Sequence, residues 1–325
     1  MRYINDDLKS KTILVTGGAG FIGSNLVFYF KNNHPMVNIV VLDNFEGFGD
    51  LKNLRGFSGK IINGDINDKE LLNSLKIEYK FDYIFHQAAI SDTTCLDEEL
   101  VKRTNVDAYK DLLDIAVSHK AAMIYASSAS TYGNLASPQK VGLEAPQNIY
   151  GLSKLEMDKL SLKYIKKDEI SIIGLRCFNV YGGGESFKKT TASMILQFGH
   201  QLLADKNPCL FENSAEIYRD FIYIEDIIQA NIKAMFAKKS GIYNVGTSIS
   251  RSFLDVVDIL QTQLGTKLSY EEIKNPYTKY YQFHTQADII DTKKYLGFEP
   301  NYTLEDGIKA YLSEIKRTYK EGNIE

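Results

Sequence analysis

The chain predicts an α/β fold: a doubly wound parallel sheet with a smaller mixed α/β lobe toward the C-terminus. Three observations carry this. Short apolar runs alternate with longer amphipathic stretches through the first half, as in a parallel sheet covered by helices. Several of the runs are rich in Ile and Val, the pattern of strands buried on both faces. A glycine-rich turn, "TGGAGFIGS", follows the first run and opens the first amphipathic stretch.

The expected strands are 12–16, 38–43, 59–64, 81–89, 122–128 and 170–178. Helical patterns lie between them at 21–32, 68–79, 97–119 and 150–166. After residue 178 the rhythm breaks. Helices near 190–204, 224–238 and 252–264 mix with short strands at "PCLFE" and "GIYNVG". This predicts a sheet domain over 1–178 and a lobe over 179–325, interleaved with the sheet. The sequence shows no internal repeat and no low-complexity segment.

Composition narrows the function. The formal net charge is −3 without a long basic run, which argues against a nucleic-acid partner. No apolar run approaches the ~20 residues of a membrane span. The polar start, "MRYINDDLKSK", resembles neither a signal nor a transit peptide. Cys95, Cys177 and Cys209 are widely spaced without a C-x-x-C pair, which fits a reducing, cytoplasmic setting. The five histidines form no H-x-x-x-H pattern, so no metal is expected.

Gly17, Gly20 and Gly23 are spaced G-x-x-G-x-x-G between a strand and a helix. Glycines there allow a tight turn and let backbone N–H groups approach a pyrophosphate at a helix N-terminus, the signature of a Rossmann dinucleotide site. The second strand ends in Asp43, 20 residues past Gly23, placed to accept from ribose hydroxyls. Glu46 and Asp50 follow it, and the first cation is Lys52. A 2′-phosphate would be repelled, so NAD is expected rather than NADP; the alternative has Lys52 or Arg55 folding back onto the phosphate. Asp65, after the third strand, can accept from an adenine amino group or serve as a turn or cap residue.

"NIYGLSK" places Tyr150 and Lys154 four apart on one helical face. "YASSASTYG" ends the preceding strand and supplies Ser128 on the edge where parallel sheets bind ligands. A free tyrosine has a pKa of about 10 and is a poor base at neutral pH. A lysine ammonium one turn away and a nicotinamide cation both favour the phenolate. Tyr150 can then take the proton of a sugar hydroxyl as its carbon gives up hydride, with Ser128 supporting the developing carbonyl.

These motifs, with "FHQAA", "LRCFNVYG" and "RDFIYIEDI", resemble over nearly the whole chain the extended short-chain dehydrogenase/reductase family, which acts on nucleotide-activated sugars. The resemblance implies dinucleotide contacts at Gly17, Gly20, Phe21, Ile22 and Gly23, and at Asp43, Asn44, Asp65 and Ile66. It adds Gln87, Ala88, Ala89, Asn105, Tyr150 and Lys154. "SDTT", "KKTTASM", "LFE" and "YQFHTQAD" resemble most the branch that epimerises C6 of a nucleotide-diphosphate heptose. For that substrate, an ADP- or GDP-heptose, the implied contacts are Ser91, Thr93, Asn179, Lys188, Ser193, Phe211, Glu212, Arg219 and Tyr281. Arg219 suits a diphosphate, since a guanidinium fork matches phosphate oxygens, although adjacent Asp220 is an alternative partner. The branch uses two bases, the motif tyrosine and a lysine that falls on Lys188; the alternative is a solvated lysine beside Lys189. The resemblance also implies capsule or lipopolysaccharide sugar supply.

Two departures stand out. The branch carries Pro-Arg where this chain has Gly183 and Gly184, which predicts a more mobile loop. Its members resemble NADP enzymes with basic residues where this chain has Glu46. A net dehydrogenase that makes a keto sugar, for example at C4 of a GDP-heptose, is therefore a second reading. A catalytically silent NAD-binding protein is a third. Apolar Leu112, Ile115, Leu155 and Leu160 on helices that pair across a two-fold in this family predict at least a dimer, which sedimentation would test.

Overall fold

The structure, a computed structural model, describes residues 2–4, 8–47, 50–276 and 281–322. Strand and helix alternate from the start: β1 (Thr12–Thr16), α1 (Phe21–Asn33), β2 (Asn38–Asp43), β3 (Lys60–Asn63), α2 (Lys69–Glu78), β4 (Tyr83–His86), α3 (Glu98–Val101), α4 (Ala108–His119), β5 (Ala122–Ser128), α5 (Ile149–Ile165) and β6 (Ile172–Cys177). The second half continues with β7 (Asn179–Tyr181), α6 (Met194–Leu203), β8 (Cys209–Phe211), β9 (Tyr218–Tyr223), α7 (Ile224–Ala234), β10 (Gly241–Val245), β11 (Ser250–Ser252) and α8 (Phe253–Leu264). It ends with β12 (Glu271–Ile273), α9 (Ile290–Leu296) and α10 (Leu304–Gly322).

Seven strands form one parallel sheet in the order β10-β6-β5-β4-β1-β2-β3. Strand direction of travel reverses between β1 and β4, the switch point at which such sheets bind ligands beyond their C-terminal ends. Alternate residues face opposite layers. Ile13, Val15, Ile39 and Val41 pack with α1 and α7 residues such as Leu26, Phe30 and Ile227. Leu14, Val40 and Leu42 pack with Leu72, Leu75, Leu112 and Met157 from α2, α4 and α5. Burial on both faces is why these strands read as continuous apolar runs. A three-stranded sheet, β11-β9-β7, and a two-stranded pair, β12-β8, lie outside the main sheet. Among the described residues no helix is long and apolar enough to cross a membrane.

Several expectations need correction. "GIYNVG", expected among the short strands of the lobe, is β10 and pairs with β6, from Gly241 opposite Ile173 to Val245 opposite Cys177. The helix expected over 97–119 is broken by a π-helical stretch at Lys102–Asp107, which turns Asn105 inward. Leu112, Ile115 and Leu155, expected to meet a second copy, are buried in this chain's own core; the exposed apolar residues of α5 are Leu152 and Leu162.

Helix α5 buries a polar stripe: Lys154, Asp158 and Ser161 are all inward. Asp158 accepts from Arg176 Nε on β6 (2.8 Å), Tyr125 Oη (2.7 Å) and Ser127 Oγ (3.0 Å) on β5. Arg176 also donates to Glu144 (2.7 Å) and stacks 4.9 Å from the Tyr132 ring centroid. Burial pushes the Asp158 carboxyl upward and Arg176 opposes it. Removing one partner of a buried pair strands the other charge, so Arg176→Met is expected to lower unfolding free energy by about 3–5 kcal/mol. Urea unfolding checks this; a loss below ~1 kcal/mol, the scale of an exposed pair, contradicts the reading.

Candidate active site

The glycine loop joins β1 to α1 at the switch point. Gly17 adopts φ +65°, and a Cβ there would lie 2.6 Å from Ala88 N. A Cβ on Gly23 would lie 2.1 Å from Gly17 O. Both positions therefore require glycine, and the loop after β4 (Gln87, Ala88, Ala89) closes against the first turn. Gly20 is the N-cap of α1 and offers no side-chain cap. The N–H groups of Phe21, Ile22 and Gly23 at this helix start are donors without intrahelical partners, as a pyrophosphate cradle requires.

Asp43 is buried at the end of β2 and accepts from Ala19 N (2.9 Å) and Phe45 N (2.9 Å). It thus fastens the glycine loop to the end of β2. Asn44 bonds Glu46 (3.3 Å), an exposed carboxylate. Lys52 and Arg55 stand exposed nearby. Phe48 and Gly49, in the stretch after Asp43, lie outside the described residues. The residues fit NAD: a glycine cradle, orphan helix donors and acidic groups near the ribose.

Ser128 ends β5, and Tyr150 and Lys154 open α5, whose N-cap Asn148 accepts from Gly151 N (2.7 Å). The Ser128 hydroxyl accepts from Ser130 N (3.1 Å) and stands close enough to the Tyr150 phenol to affect its ionisation. Lys154 is buried, donates to Ala126 O (2.7 Å) and lies 5.8 Å from the Tyr150 ring centroid. Burial pulls its ammonium down to about 8, with Asp158 opposing. Burial also pushes the Tyr150 phenol up to about 12, and the Ser128 hydroxyl opposes this. In the protein by itself the tyrosine's pKa is therefore raised, not lowered: desolvation outweighs the Ser128 hydroxyl.

Lys188 lies in a 3-10 turn, Ser186–Thr191, with its ammonium 5.8 Å from the Phe21 ring centroid. That places it at the mouth of the dinucleotide loop, while Lys189 is exposed. Burial lowers the Lys188 pKa and Glu185 opposes this. The mobile loop expected from Gly183 and Gly184 is instead tied down. Asn25 Nδ2 donates to Gly183 O (2.9 Å), and Gly184 N donates to Glu314 (3.0 Å).

Arg219, on β9, is buried between aromatic rings, 4.9 Å from the Tyr281 centroid and 5.6 Å from that of Phe253. Asp220 is instead held by Thr247 N and Oγ1, Ser248 N and Ala287 N. Arg219 bonds only the carbonyl of Tyr218 (2.9 Å) among the described hydrogen bonds, which leaves its fork suited to an anion. Phe211 packs edge-on to Tyr281 (5.7 Å), and Glu212 lines a cavity of about 520 Å³ with Asn213, Glu216, Lys274 and Phe283. Ser91 and Thr93 are exposed on the loop after β4, and Asn179 is exposed at the start of β7.

Three expected contact residues have partners within the chain. Asn105 is fully buried, bonding Ile90 N (2.8 Å), Ile90 O (3.0 Å) and Ser153 Oγ (2.9 Å). It braces the loop after β4 against α5 rather than facing a cofactor. Asp65 accepts from Asn67 N and Nδ2 (2.8 Å each), a turn, with Ile66 buried beside it. Ser193 caps α6 and donates to Glu185 (2.8 Å). Sequence reasoning missed Cys177, whose thiol is pushed up to about 12 by burial with Lys154 opposing, and His86, a neutral imidazole lowered to about 3 by burial and bonded to Thr16 (2.8 Å). Histidine in an apolar strand was the available signal for His86; Cys177 carried none.

Two outcomes are expected. Without dinucleotide, the Tyr150 phenolate, followed as the ultraviolet difference between wild type and Tyr150→Phe, forms only in strongly alkaline solution. Adding NAD moves that titration to lower pH, because a nearby cation favours the anion. A phenolate at neutral pH in nucleotide-free protein contradicts this. By calorimetric titration NAD binds more tightly than NADP by about ten- to a hundredfold, since one like-charge contact costs on the order of 1–3 kcal/mol. Equal binding would mean that Lys52 or Arg55 neutralises the extra phosphate.

The model of the NAD dependent epimerase/dehydratase family matches residues 13–246. An ADP-L-glycero-D-manno-heptose-6-epimerase of Brachyspira hyodysenteriae is 34% identical over 315 residues, 94% of this chain and 98% of that protein. The crystal structure of the Helicobacter pylori ADP-L-glycero-D-manno-heptose-6-epimerase is 51% identical with a TM-score of 0.91, covering 97% of this chain and 99% of that one. A Bacillus cereus UDP-glucuronic acid 4-epimerase, solved with a fluorinated UDP-glucuronic acid and NAD, is 28% identical with a TM-score of 0.83 over 94% and 99%. The chain belongs to the NAD dependent epimerase/dehydratase family, within the extended short-chain dehydrogenases/reductases.

Proposed function

We propose that this enzyme epimerises C6 of an ADP-heptose. The observation that carries the reading is the presence of two proton-transfer groups on separate supports. Tyr150 stands with Lys154 on α5, and the Lys188 amine stands over Phe21 at the start of the dinucleotide helix. Net oxidation needs one base; inversion through a keto sugar uses a second. The names and full-length coverage of the two heptose-epimerase relatives support the substrate class.

Bound NAD supplies the hydride acceptor and, once reduced, the donor. Tyr150 takes the proton of the sugar hydroxyl, and Ser128 donates to the same oxygen as it becomes a carbonyl. Lys154 keeps a positive charge under the tyrosine, favouring the phenolate. Arg219 holds the diphosphate and leaves the sugar end to turn over. Lys188 then protonates the oxygen of the keto sugar in its second orientation. Burial lowers its pKa, which eases release of that proton, and Glu185 opposes the shift.

Single-turnover mixing with ADP-heptose tests this, following NADH absorbance and product stereochemistry by NMR, with GDP-heptose as comparator. Tyr150→Phe is expected to slow hydride transfer by about two to four orders of magnitude with little change in NAD affinity. Lys188→Met still reduces bound NAD but fails to invert the sugar. If Lys189→Met blocks inversion and Lys188→Met does not, the wrong lysine carries the role. If wild type accumulates NADH and a stable keto sugar, the enzyme is a net dehydrogenase.

A further inference from the structure

One carboxylate closes the loop that carries Lys188. Glu185 has no exposed surface. It accepts from Gly182 N (3.1 Å), Ser193 N (2.7 Å) and Ser193 Oγ (2.8 Å). Its own carbonyl accepts from Lys188 N (2.9 Å). A carboxylate is costly to bury unless donors surround it, and here the donors come from both ends of the loop. Ser193 N-caps α6 through Leu196 N (3.3 Å), so the carboxylate ties residues 182–185 to the start of a helix. The buried Tyr311 hydroxyl of α10 lies beside it.

The loop is also tied to the cofactor helix. Asn25 Nδ2 donates both to Phe21 O (2.9 Å) and to Gly183 O (2.9 Å). Gly184, at φ +93°, turns its N–H to Glu314 on α10. Within the span that these bonds enclose, Lys188 faces Phe21. Lys189, at φ +49° and ψ −118°, breaks the 3-10 turn and is exposed.

We propose that Glu185 is a positioning residue for Lys188: its buried carboxylate gathers the N–H groups of Gly182 and Ser193 and so holds the Lys188 ammonium over Phe21 at the entrance of the dinucleotide loop. The proposal rests on Lys188 being the second acid/base. It supplies what the chain lacks at Gly183 and Gly184, where a rigid residue would otherwise set the loop. Because Asn25 bonds Phe21 and Gly183 together, the amine keeps its distance from the cofactor helix whatever the substrate does.

The test is the single-turnover assay on the full chain with NAD and ADP-heptose. Glu185→Gln keeps the shape, but its NH₂ must face one of the loop's donors. Inversion is expected to fall about ten- to a hundredfold, as a misplacement near 1 Å can cause, while reduction of bound NAD stays within about twofold. Glu185→Asp keeps the charge one methylene back and shows a smaller loss with the same selectivity. It carries the test if the Gln variant does not fold. Combining Glu185→Gln with Lys188→Met gives no further loss of inversion beyond Lys188→Met alone, because one residue acts through the other. Equal loss of oxidation and inversion in the Glu185 variants overturns the proposal, as does normal inversion in both. Lys188→Met that fails to invert beside normal Glu185 variants overturns the positioning role alone. Normal inversion in Lys188→Met overturns the acid/base reading and the proposal with it.

Discussion

The burial of a cation and an anion on one face of α5 constrains everything around Tyr150. Lys154 and Asp158 are one turn apart and both are nearly inaccessible. The anion is satisfied by Arg176, Tyr125 and Ser127, all from β5 and β6. The cation is given only the carbonyl of Ala126 as a hydrogen-bond partner among the described bonds. Any slip of α5 along the sheet would strand both charges, so the helix has one register, and that register puts Tyr150 against Ser128. The structural anchor and the chemical group share one helix, eight residues apart. Lys154 lies between them and is the member left with a lowered pKa.

Lys188 is held on a different frame. Its loop is bonded to α1 and α10, not to β5 or β6. Tyr150 is therefore fixed to the sheet edge, and the loop of Lys188 is fixed to α1 and α10. A sugar reacting between them meets two proton-transfer groups whose separation is set by how the glycine loop packs on the sheet. The close approach of Gly17 to Ala88 and of Gly23 to Gly17 fixes that packing. Inversion asks for this arrangement, since the same carbon must lose and regain hydride in two orientations of the sugar.

Much of this was legible in the sequence. Burial on both faces made strands such as β1 and β2 stand out as Ile- and Val-rich runs, and the glycine spacing marked the turn between β1 and α1. Tyr150, Lys154 and Ser128 followed from chemistry and from the sheet edge they share. The less legible parts depend on contacts between distant segments. β10, Gly241–Val245, joins the main sheet with both its faces covered, which its five residues cannot announce. Asn105 looked like a polar contact and is instead a brace, since only the fold reveals that Ile90 and Ser153 absorb its amide. Glu185 gave no local signal: its partners include an N-cap eight residues away, and a tyrosine from the last helix lies beside it. A loop rich in glycine read as mobile because the residues that pin it, Asn25 and Glu314, lie 158 and 130 positions away. Arg176 and Asp158 did leave a trace, as a charge inside an apolar strand and a second charge one turn past Lys154.

The central claim is that hydride leaves and returns to the same carbon between two fixed proton-transfer groups. The most direct measurement uses ADP-heptose carrying deuterium at C6, converted over many turnovers and examined by NMR and mass spectrometry. The account predicts inverted product that retains deuterium at C6 with no net NADH. Deuterium lost from the sugar and found in accumulated NADH, beside a keto sugar, would contradict it.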